Sequence, residues 1–243
     1  MPVQLIAPQR GCTLSMIEKQ KKVVIIGDRA IAEVAYEYFT HDSYYEVSAF
    51  TVEREYLKRD TLLGLPMVPF EDVESVYPPT GHDLFVALGY GQMNRLRSRL
   101  FQAAKAKGFA LASYVSSSAR VWPNTRIGEN VFIFESNVIQ PFVSIGDNVV
   151  LWSGNHVGHH AAIGDHVFVS SHVVIAGYVQ VGNHSFLGVN ATIADNVTIG
   201  RDCLIGAGAL VLHDLPPGSL LPATGTKPHA LTTYRRFGLS GDE

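Results

Sequence analysis

The sequence is poor in cysteine and in charge. Its 243 residues include two cysteines, Cys12 and Cys203, which are too few for a disulfide framework or a zinc-binding set. Charged residues make up 17% of the chain, below the roughly 25% that is typical of soluble domains. Part of the surface is therefore expected to be hidden, for example in an oligomer. No stretch reaches the roughly 18 consecutive apolar residues of a membrane-spanning helix.

Charge also restricts the kind of partner. The net charge is -3 and the pI is about 6.4, and there is no basic run, so nucleic acid is excluded as a partner. The first residues lack the continuous apolar core of a secretory signal. Since 47% of the residues are hydrophobic, the chain has enough apolar material for a buried core. These features predict a cytoplasmic protein that acts on small molecules and does not bind membranes.

From Val121 onward the chain repeats every six residues, beginning VWPNTR IGENVF IFESNV IQPFVS. Position one is Val, Ile or Leu in all fifteen units, and position five, which includes Cys203, is small or β-branched in most. This period predicts one aliphatic side chain entering a core from each short strand. Three units close one coil, so residues 117–213 are predicted to form a parallel β-helix of five coils. Gly and Asn crowd positions two and four, where sharp turns are expected to need a positive φ.

The first half of the chain alternates strands and helices instead. Apolar runs predict strands at 22–27, 45–52, 83–89 and 109–115, and amphipathic patterns predict helices at 30–40, 70–77 and 92–108. This alternation predicts a small α/β domain with a parallel sheet over residues 21–116. Residues 1–20 fit neither domain and are expected to be a flexible leader, with Met16 as an alternative start. Residues 214–243 are expected to be a C-terminal tail.

Histidines are concentrated in the repeat region. None of the six between positions 156 and 184 occupies position one or five, so all are expected on the outer surface or at a subunit interface: His156, His159, His160, His166, His172 and His184. His166 and His184 share position four of one face and are expected to be left-handed turn residues. The spacing leaves open whether His156 and His172 are turn residues or line an interface groove.

His159 is the strongest candidate for chemistry. Residues spaced by eighteen stack on one another, and the stack through His159 reads Pro123, Pro141, His159, Gly177, Asp195. A glycine beside a histidine is expected to expose an unshielded backbone N–H. That pairing offers a general base and an oxyanion donor, which suits acyl transfer. The alternative is an exposed turn histidine without a role in catalysis.

These features resemble the hexapeptide-repeat acyltransferases, and more closely the PglD/NeuD-like sugar acyltransferases. The resemblance is carried by KVVIIGDRAIAEVAYEYF, VALGYGQMNRLR and GHHAAIGDHVFVSSHVVIAGYVQVG. It implies a Rossmann-like α/β domain joined to a left-handed β-helix, assembled as a homotrimer with acetyl-CoA in a groove between adjacent subunits. It further implies direct acetyl transfer to an amino or hydroxyl group of a sugar, one that is nucleotide-linked and destined for surface polysaccharide such as lipopolysaccharide.

The resemblance also assigns roles to single residues. It implies that His159 is the general base and that the Gly177 N–H contacts the thioester carbonyl. Val189 and Ala207 would line the pantetheine arm, and Lys227 would lie near the CoA phosphates. The residues that match the sugar-binding turns of the family are Gly27, Gly89, Tyr90, Asn94 and Arg95.

Three positions depart from the family pattern. His160 replaces the acidic residue that orients the base, so either another group orients His159 or the two histidines share a proton. Phe168 stands where the family has a second histidine. The first turn reads Gly27-Asp28-Arg29-Ala30, which is not the G-x-G-x-x-G pattern, and Asp28 would repel a phosphate.

Two other functions remain open from the residues. The altered glycine turn is compatible with a non-catalytic β-helix scaffold whose N-terminal domain binds a ligand or partner. The histidines also suggest a zinc enzyme of the β-helical carbonic anhydrase type, which needs three histidines converging across a trimer interface. The stacking of His166 and His184 in line, rather than in a triangle, disfavours the zinc site.

Overall fold

The computed structural model describes residues 18–223, 225, 230 and 232–238. Two compact units divide the chain: Met1–Leu88 with Arg99–Ser117, and Gly89–Ser98 with Ser118–Glu243. The segment Gly89–Ser98, which the sequence analysis placed in the first domain, thus clusters with the second. Of the expected leader, only residues 18–20 are among those described, and Met16 lies outside them.

A five-stranded sheet forms the centre of the first unit. The elements that precede the repeat region are β1 (Lys21–Ile26), α1 (Ala30–His41), β2 (Tyr45–Val52), β3 (Thr61–Leu62), β4 (Leu65–Pro69), α2 (Val73–Val76), β5 (Asp83–Val86), α3 (Arg95–Ala106) and β6 (Tyr114–Val115), with 3-10 turns at Arg54–Tyr56 and Phe70–Asp72. The strand order is β3-β4-β2-β1-β5. β1 pairs in parallel with β2 and β5, whereas β3 pairs antiparallel with β4. The predicted parallel sheet is therefore mixed.

The apolar run in β1 explains its central place. Val23 to Ile26 are all buried, as expected for a parallel strand covered on both faces. The β3–β4 hairpin was not predicted; its turn is Leu63-Gly64, and both residues have positive φ.

Two predicted elements at the end of this unit differ in the structure. The predicted helix 92–108 begins only at Arg95, since Gln92, Met93 and Asn94 all have positive φ. The predicted strand 109–115 is reduced to a single bridge at Leu111 and the two residues of β6.

The second unit contains a left-handed parallel β-helix. Its strands are β7 (Arg120–Val121), β8 (Arg126–Ile127), β9 (Phe132–Ile133), β10 (Val138–Ile139), β11 (Ser144–Ile145), β12 (Val150–Leu151), β13 (His156–Val157), β14 (Ala162–Ile163), β15 (Phe168–Val169), β16 (Val174–Ile175), β17 (Gln180–Val181), β18 (Phe186–Leu187), β19 (Thr192–Ile193), β20 (Thr198–Ile199), β21 (Leu204–Ile205), β22 (Leu210–Val211) and β23 (Leu220–Leu221). Face 1 holds β7, β10, β13, β16, β19 and β22; face 2 holds β8, β11, β14, β17 and β20; face 3 holds β9, β12, β15, β18, β21 and β23.

The turns between faces form three corners. The first corner joins face 1 to face 2 and carries His159 and Gly177. The second corner joins face 2 to face 3 and carries His166 and His184. The third corner joins face 3 to face 1 and carries His172.

The predicted register is confirmed. Every position-one residue from Ile133 to Val211 is buried in one continuous core. Cys203 at position five is fully buried in the same core. Each strand from β7 to β19 pairs in parallel with the strand eighteen positions further along the chain; Val157, for example, pairs with Ile175.

Positions two and four of the repeat restrict the residue type for different physical reasons. Every position-four residue from Asn130 to Gly208 has a positive φ, as expected. The glycines at position two do not; a Cβ on Gly158 would lie 2.6 Å from the Gly177 nitrogen of the next coil. Glycine is required there because adjacent coils approach closely, which corrects the expectation of a positive φ.

Stacking continues beyond the predicted end at residue 213. Leu204 and Ile205 of β21 pair in parallel with Leu220 and Leu221 of β23. A short helix, α4 (Thr233–Phe237), follows. None of the helices in the described part of the chain has the length and apolar character needed to cross a membrane.

Candidate active site

His159 and His160 form a pair at the first corner. Both side chains are exposed, because positions three and four of the repeat point away from the core. Their Nδ1 atoms lie 3.2 Å apart. Two neutral imidazoles at this distance share one hydrogen bond, with Nδ1–H of one ring donating to Nδ1 of the other. This contact places His160 opposite Nδ1 of His159.

Gly177 provides the space in which the His159 ring lies. A Cβ built on Gly177 would lie 2.9 Å from Cε1 and 3.1 Å from Nε2 of His159. The predicted stacking of these two residues is confirmed by the pairing of Val157 with Ile175. Any larger residue at 177 would displace the imidazole.

The Gly177 N–H is not unshielded, which corrects the expectation from the sequence. It donates a 2.8 Å hydrogen bond to Oδ1 of Asp195 in the following coil. The second corner uses the same arrangement, since the Asp147 N–H donates to Oδ1 of Asp165 at 2.9 Å. At position three, the backbone N–H groups of Glu129, Asp147, Asp165 and Gly177 each donate to Oδ1 of the residue eighteen positions on.

His160 is stacked between two aromatic rings. Its centroid lies 4.6 Å from that of Phe142 and 4.7 Å from that of Tyr178, with interplanar angles of 24° and 14°. His159 meets the edge of Tyr178 at 5.1 Å. This stack was not predicted, although Phe142, His160 and Tyr178 all occupy position four and are spaced by eighteen.

His166 is buried, which corrects the expectation that all six histidines lie on the outer surface. Its exposure is 8%, and its Nδ1 lies 2.9 Å from Nδ2 of Asn148. Burial, with the neighbouring His184 as a smaller cause, lowers the pKa of His166 to about 4. The pKa of His184 is lowered as well, by burial and then by the charge of Arg95. The expected left-handed conformation of His166 and His184 is confirmed, with φ of 62° at each.

The segment Gly89–Ser98 packs on the second corner. Asn94 is fully buried and its Nδ2 donates to the carbonyls of His184 and Ser185 at 3.1 and 3.3 Å. Arg97 is also fully buried, and its Nη2 donates to the His166 carbonyl at 2.9 Å. Burial lowers the pKa of Arg97 to about 9. Arg97 was not among the predicted site residues.

These contacts change the view of the predicted sugar-binding loop. The Asn94 side chain supports the β-helix and has no exposed surface in this structure, and its role in sugar binding stays a prediction. Arg95 forms an ion pair with Asp202, and a phosphate would have to compete with that carboxylate. Tyr90 is exposed, with its ring 4.5 Å from that of Phe186, and Gly89 beside it is half-buried.

Phe168 belongs to an apolar cluster rather than to a polar site. It is buried and lies edge-on to the Tyr90 ring at 5.1 Å. The guanidinium of Arg97 lies 5.6 Å from the centre of the Phe168 ring. A phenyl ring suits this position because it presents its π face to a buried cation.

Gly27, in the first unit, follows β1 and has φ of 132°. A Cβ there would lie 2.8 Å from the Ala87 carbonyl oxygen, so the turn requires glycine. Oδ2 of Asp28 lies 3.5 Å from Nη2 of Arg59. The positive charge of Arg59 partly balances the negative charge of Asp28, which would oppose phosphate binding.

The residues expected to bind the acyl donor lie on both edges of face 1. Gly177 is at the first corner, whereas the exposed Val189 and the half-buried Ala207 are at the third. Between these corners the outward residues of face 1 include Val138, Val174 and Leu210, which are 40, 39 and 59% exposed. They alternate with the half-buried His156 and Thr192. Lys227 lies outside the described residues.

The two remaining histidines lie beside this face. His156 is half-buried in β13 of face 1, and His172 is exposed at the third corner. Across residues 18–223, 225, 230 and 232–238, no group of three or more His, Cys, Asp or Glu side chains is arranged to hold a metal ion.

Comparison with known proteins gives a consistent picture. The family described as bacterial transferase hexapeptide (six repeats) matches residues 124–158, 142–177 and 178–213. Comparison with curated proteins gives no significant match. A variant of perosamine N-acetyltransferase from Caulobacter crescentus, solved in complex with CoA and GDP-perosamine, is 33% identical, with a TM-score of 0.74 over 83% of this chain and 93% of that one.

Two further structures are similar. The acetyltransferase domain of PglB from Neisseria gonorrhoeae is 25% identical, with a TM-score of 0.74 over 86% of this chain and 100% of that one. WeeI from Acinetobacter baumannii shares the fold at 16% identity, with a TM-score of 0.53 over 79% of this chain and 94% of that one.

Proposed function

Because this chain belongs to the hexapeptide-repeat sugar acyltransferases, the family of the PglD/NeuD-like enzymes, we propose that it transfers the acetyl group of acetyl-CoA to an amino group of a nucleotide-linked sugar. The observation that carries the proposal is the exposed His159 imidazole lying on Gly177 at an edge of face 1. The 33% identical relative, solved with CoA and GDP-perosamine, supports both the donor and the acceptor. A sugar hydroxyl is the alternative acceptor.

His159 acts as the general base in this proposal. Its Nδ1 faces His160, so Nε2 is the nitrogen that removes the proton from the attacking amine. The amine attacks the thioester directly, and the same proton then passes from Nε2 to the departing thiolate. A positioned base of this kind contributes about 10²–10⁴-fold in rate.

Gly177 supplies the oxyanion donor once its present partner is displaced. Its N–H donates to Asp195 Oδ1, and the thioester carbonyl oxygen replaces that carboxylate as acceptor when the donor binds. One such donor is worth about 10²–10³-fold in rate.

The proposed assembly is a homotrimer that packs through face 1. The exposed side chains of Val138, Val174 and Leu210 provide apolar surface for it. Such packing brings the third corner of one subunit near the first corner of the next, so Val189 and Ala207 would contact the acyl donor beside His159. The role of Lys227 near the CoA phosphates, which the resemblance implies, is part of the same proposal. A cytoplasmic location and a role in surface polysaccharide synthesis belong to the same proposal.

Thiol release from acetyl-CoA tests the proposal directly. The wild type and His159→Ala are compared on nucleotide-linked 3- and 4-amino sugars and on the matching hydroxyl sugars, with sedimentation to check that both remain trimeric. We expect release with one amino sugar and its loss in the variant. Acetyl-CoA binding is measured by calorimetry; a protein that neither binds acetyl-CoA nor releases thiol is a scaffold and overturns the proposal.

A further inference from the structure

Phe142 and Tyr178 are unusual residues for their positions. Both lie at position four, where the backbone is left-handed, with φ of 65° and 59°. Bulky residues are disfavoured in that conformation, whereas Asn, Asp and Gly are tolerated. Most other position-four residues of the β-helix are of the tolerated kinds. Two costly aromatic residues therefore flank His160, one coil before it and one coil after.

The two rings do not serve the hydrophobic core. Phe142 is 59% exposed and Tyr178 is 49% exposed, so packing within the subunit gives little reason for aromatic residues here. Their shared contact is the imidazole of His160, which is parallel to both within 24°. The faces of aromatic rings are electron-rich and stabilise a cation lying over them.

We propose that His160, held between Phe142 and Tyr178, is a positioning residue that accepts the hydrogen bond of His159 Nδ1–H and stabilises the positive charge formed on the base. This inference rests on the proposed function, because it needs an unprotonated Nε2 on His159 to act as the general base. With Nε2 bare, the neutral His159 carries its proton on Nδ1. His160 then presents a bare Nδ1 at 3.2 Å.

The proton balance closes without another reactant. The sugar amine loses one proton to His159 Nε2 as its lone pair attacks the thioester carbon. The Nδ1 proton of His159 shifts toward His160 Nδ1, so the pair holds one positive charge, which lies between the two aromatic faces. When the C–S bond breaks, Nε2 gives its proton to the thiolate and the Nδ1 proton returns to His159. The products are the N-acetyl sugar and free CoA thiol.

A carboxylate would stabilise the same charge by direct attraction, and this chain uses two π faces instead. Within the described part of the chain, the side chain of His160 contacts His159, Phe142 and Tyr178 and forms no ion pair with a carboxylate. The aromatic stack fixes the ring plane of His160, and through Nδ1 it fixes the rotation of His159 over Gly177.

Nitrogen NMR on protein labelled with ¹⁵N-histidine tests the inference without any substrate. The signals of His159 and His160 are assigned by their loss in His159→Asn and in His160→Phe. His160→Phe keeps three stacked rings, and Phe142 shows that position four of the repeat accepts phenylalanine. We expect a proton on Nδ1 of His159 and on Nε2 of His160. A proton on Nε2 of His159 with His160 Nδ1–H as donor would overturn the inference, whether or not the enzyme is active.

Kinetics of matched variants give the second readout. Phe142→Asn and Tyr178→Asn remove one π face each and relieve the backbone, whereas Phe142→Tyr and Tyr178→Phe keep the faces. We expect each Asn variant to lose about two- to fivefold in kcat with little change in the KM for acetyl-CoA, and the aromatic exchanges to retain activity. His160→Phe should lose about tenfold or more.

The two proposals fail in different ways. If Asn and aromatic variants have equal kcat, or if only KM changes, the role of the stack is wrong while acetyl transfer stands. If the wild type releases no thiol with any sugar, the proposed function fails, and the NMR signals still decide which histidine donates the hydrogen bond.

Discussion

The backbone N–H of Gly177 donates a 2.8 Å hydrogen bond to Oδ1 of Asp195 in the next coil. This contact occupies the donor that the thioester carbonyl needs in the proposed reaction. Binding of acetyl-CoA must therefore displace a carboxylate from an amide, and part of the binding energy is spent on that exchange.

Removing the carboxylate should favour the donor. We expect Asp195→Ala to raise kcat/KM for acetyl-CoA by about fivefold, the worth of about one hydrogen bond, and to lower the melting temperature slightly. The measurement is initial rate against acetyl-CoA concentration at saturating sugar.

Asp165→Ala is the matched control for that variant. Asp165 accepts the Asp147 N–H at the second corner in the same way, so its loss should affect stability to a similar degree without raising activity. A fall in kcat/KM for Asp195→Ala would show that Asp195 itself assists catalysis, and the competition described above would be wrong.

Gly177→Ala should separate catalysis from folding. The new methyl group would lie within 3.1 Å of the His159 ring, and a flexible exposed ring can move away at little cost. We expect kcat to fall by about 10²-fold because the base is misplaced by about 1 Å, while the melting temperature changes little.

Gly158→Ala provides the contrast. There the methyl group would lie 2.6 Å from backbone atoms of the next coil, which cannot move without separating the coils. Unfolding in urea should show a large loss of stability for Gly158→Ala only. Equal losses of stability in the two variants would show that glycine is needed at 177 for packing between coils, and not to leave space for the His159 ring.

The hexapeptide period allowed the β-helix and the place of His159 over Gly177 to be predicted, because stacking at eighteen residues follows from counting. The period did not reveal Asp195 as a hydrogen-bond acceptor, since that depends on side-chain reach. It also did not reveal that Asn94 and Arg97 are buried on the second corner. Their contacts join residues that are 69 to 91 positions apart, and no local pattern records such distances.

The packing of face 1 in the proposed trimer can be tested by introducing a charged side chain on that face. Val174 lies on face 1 between Val138 and Leu210 and is 39% exposed, so in the trimer a carboxylate there would be desolvated, with His156 of the adjacent strand as its neighbour within the subunit. We expect Val174→Glu to dissociate the assembly in sedimentation and to abolish thiol release. Thr198→Glu on face 2 is the control and should remain assembled; a Val174→Glu protein that stays trimeric would exclude face 1 as the interface.

His166 should make the protein less stable in mild acid. The unfolded chain takes up a proton on this residue near pH 6.5, whereas burial holds the pKa in the folded protein at about 4. Between these values the unfolded state binds more protons, so stability falls as the pH drops through this window, by up to about 3 kcal/mol. Urea unfolding at pH 7.5 and pH 4.5 measures the loss. His166→Asn, which extends the Asn130 and Asn148 ladder with a side chain that cannot titrate, should lose clearly less over the same interval; an equal loss in both proteins would mean that other groups cause the acid sensitivity.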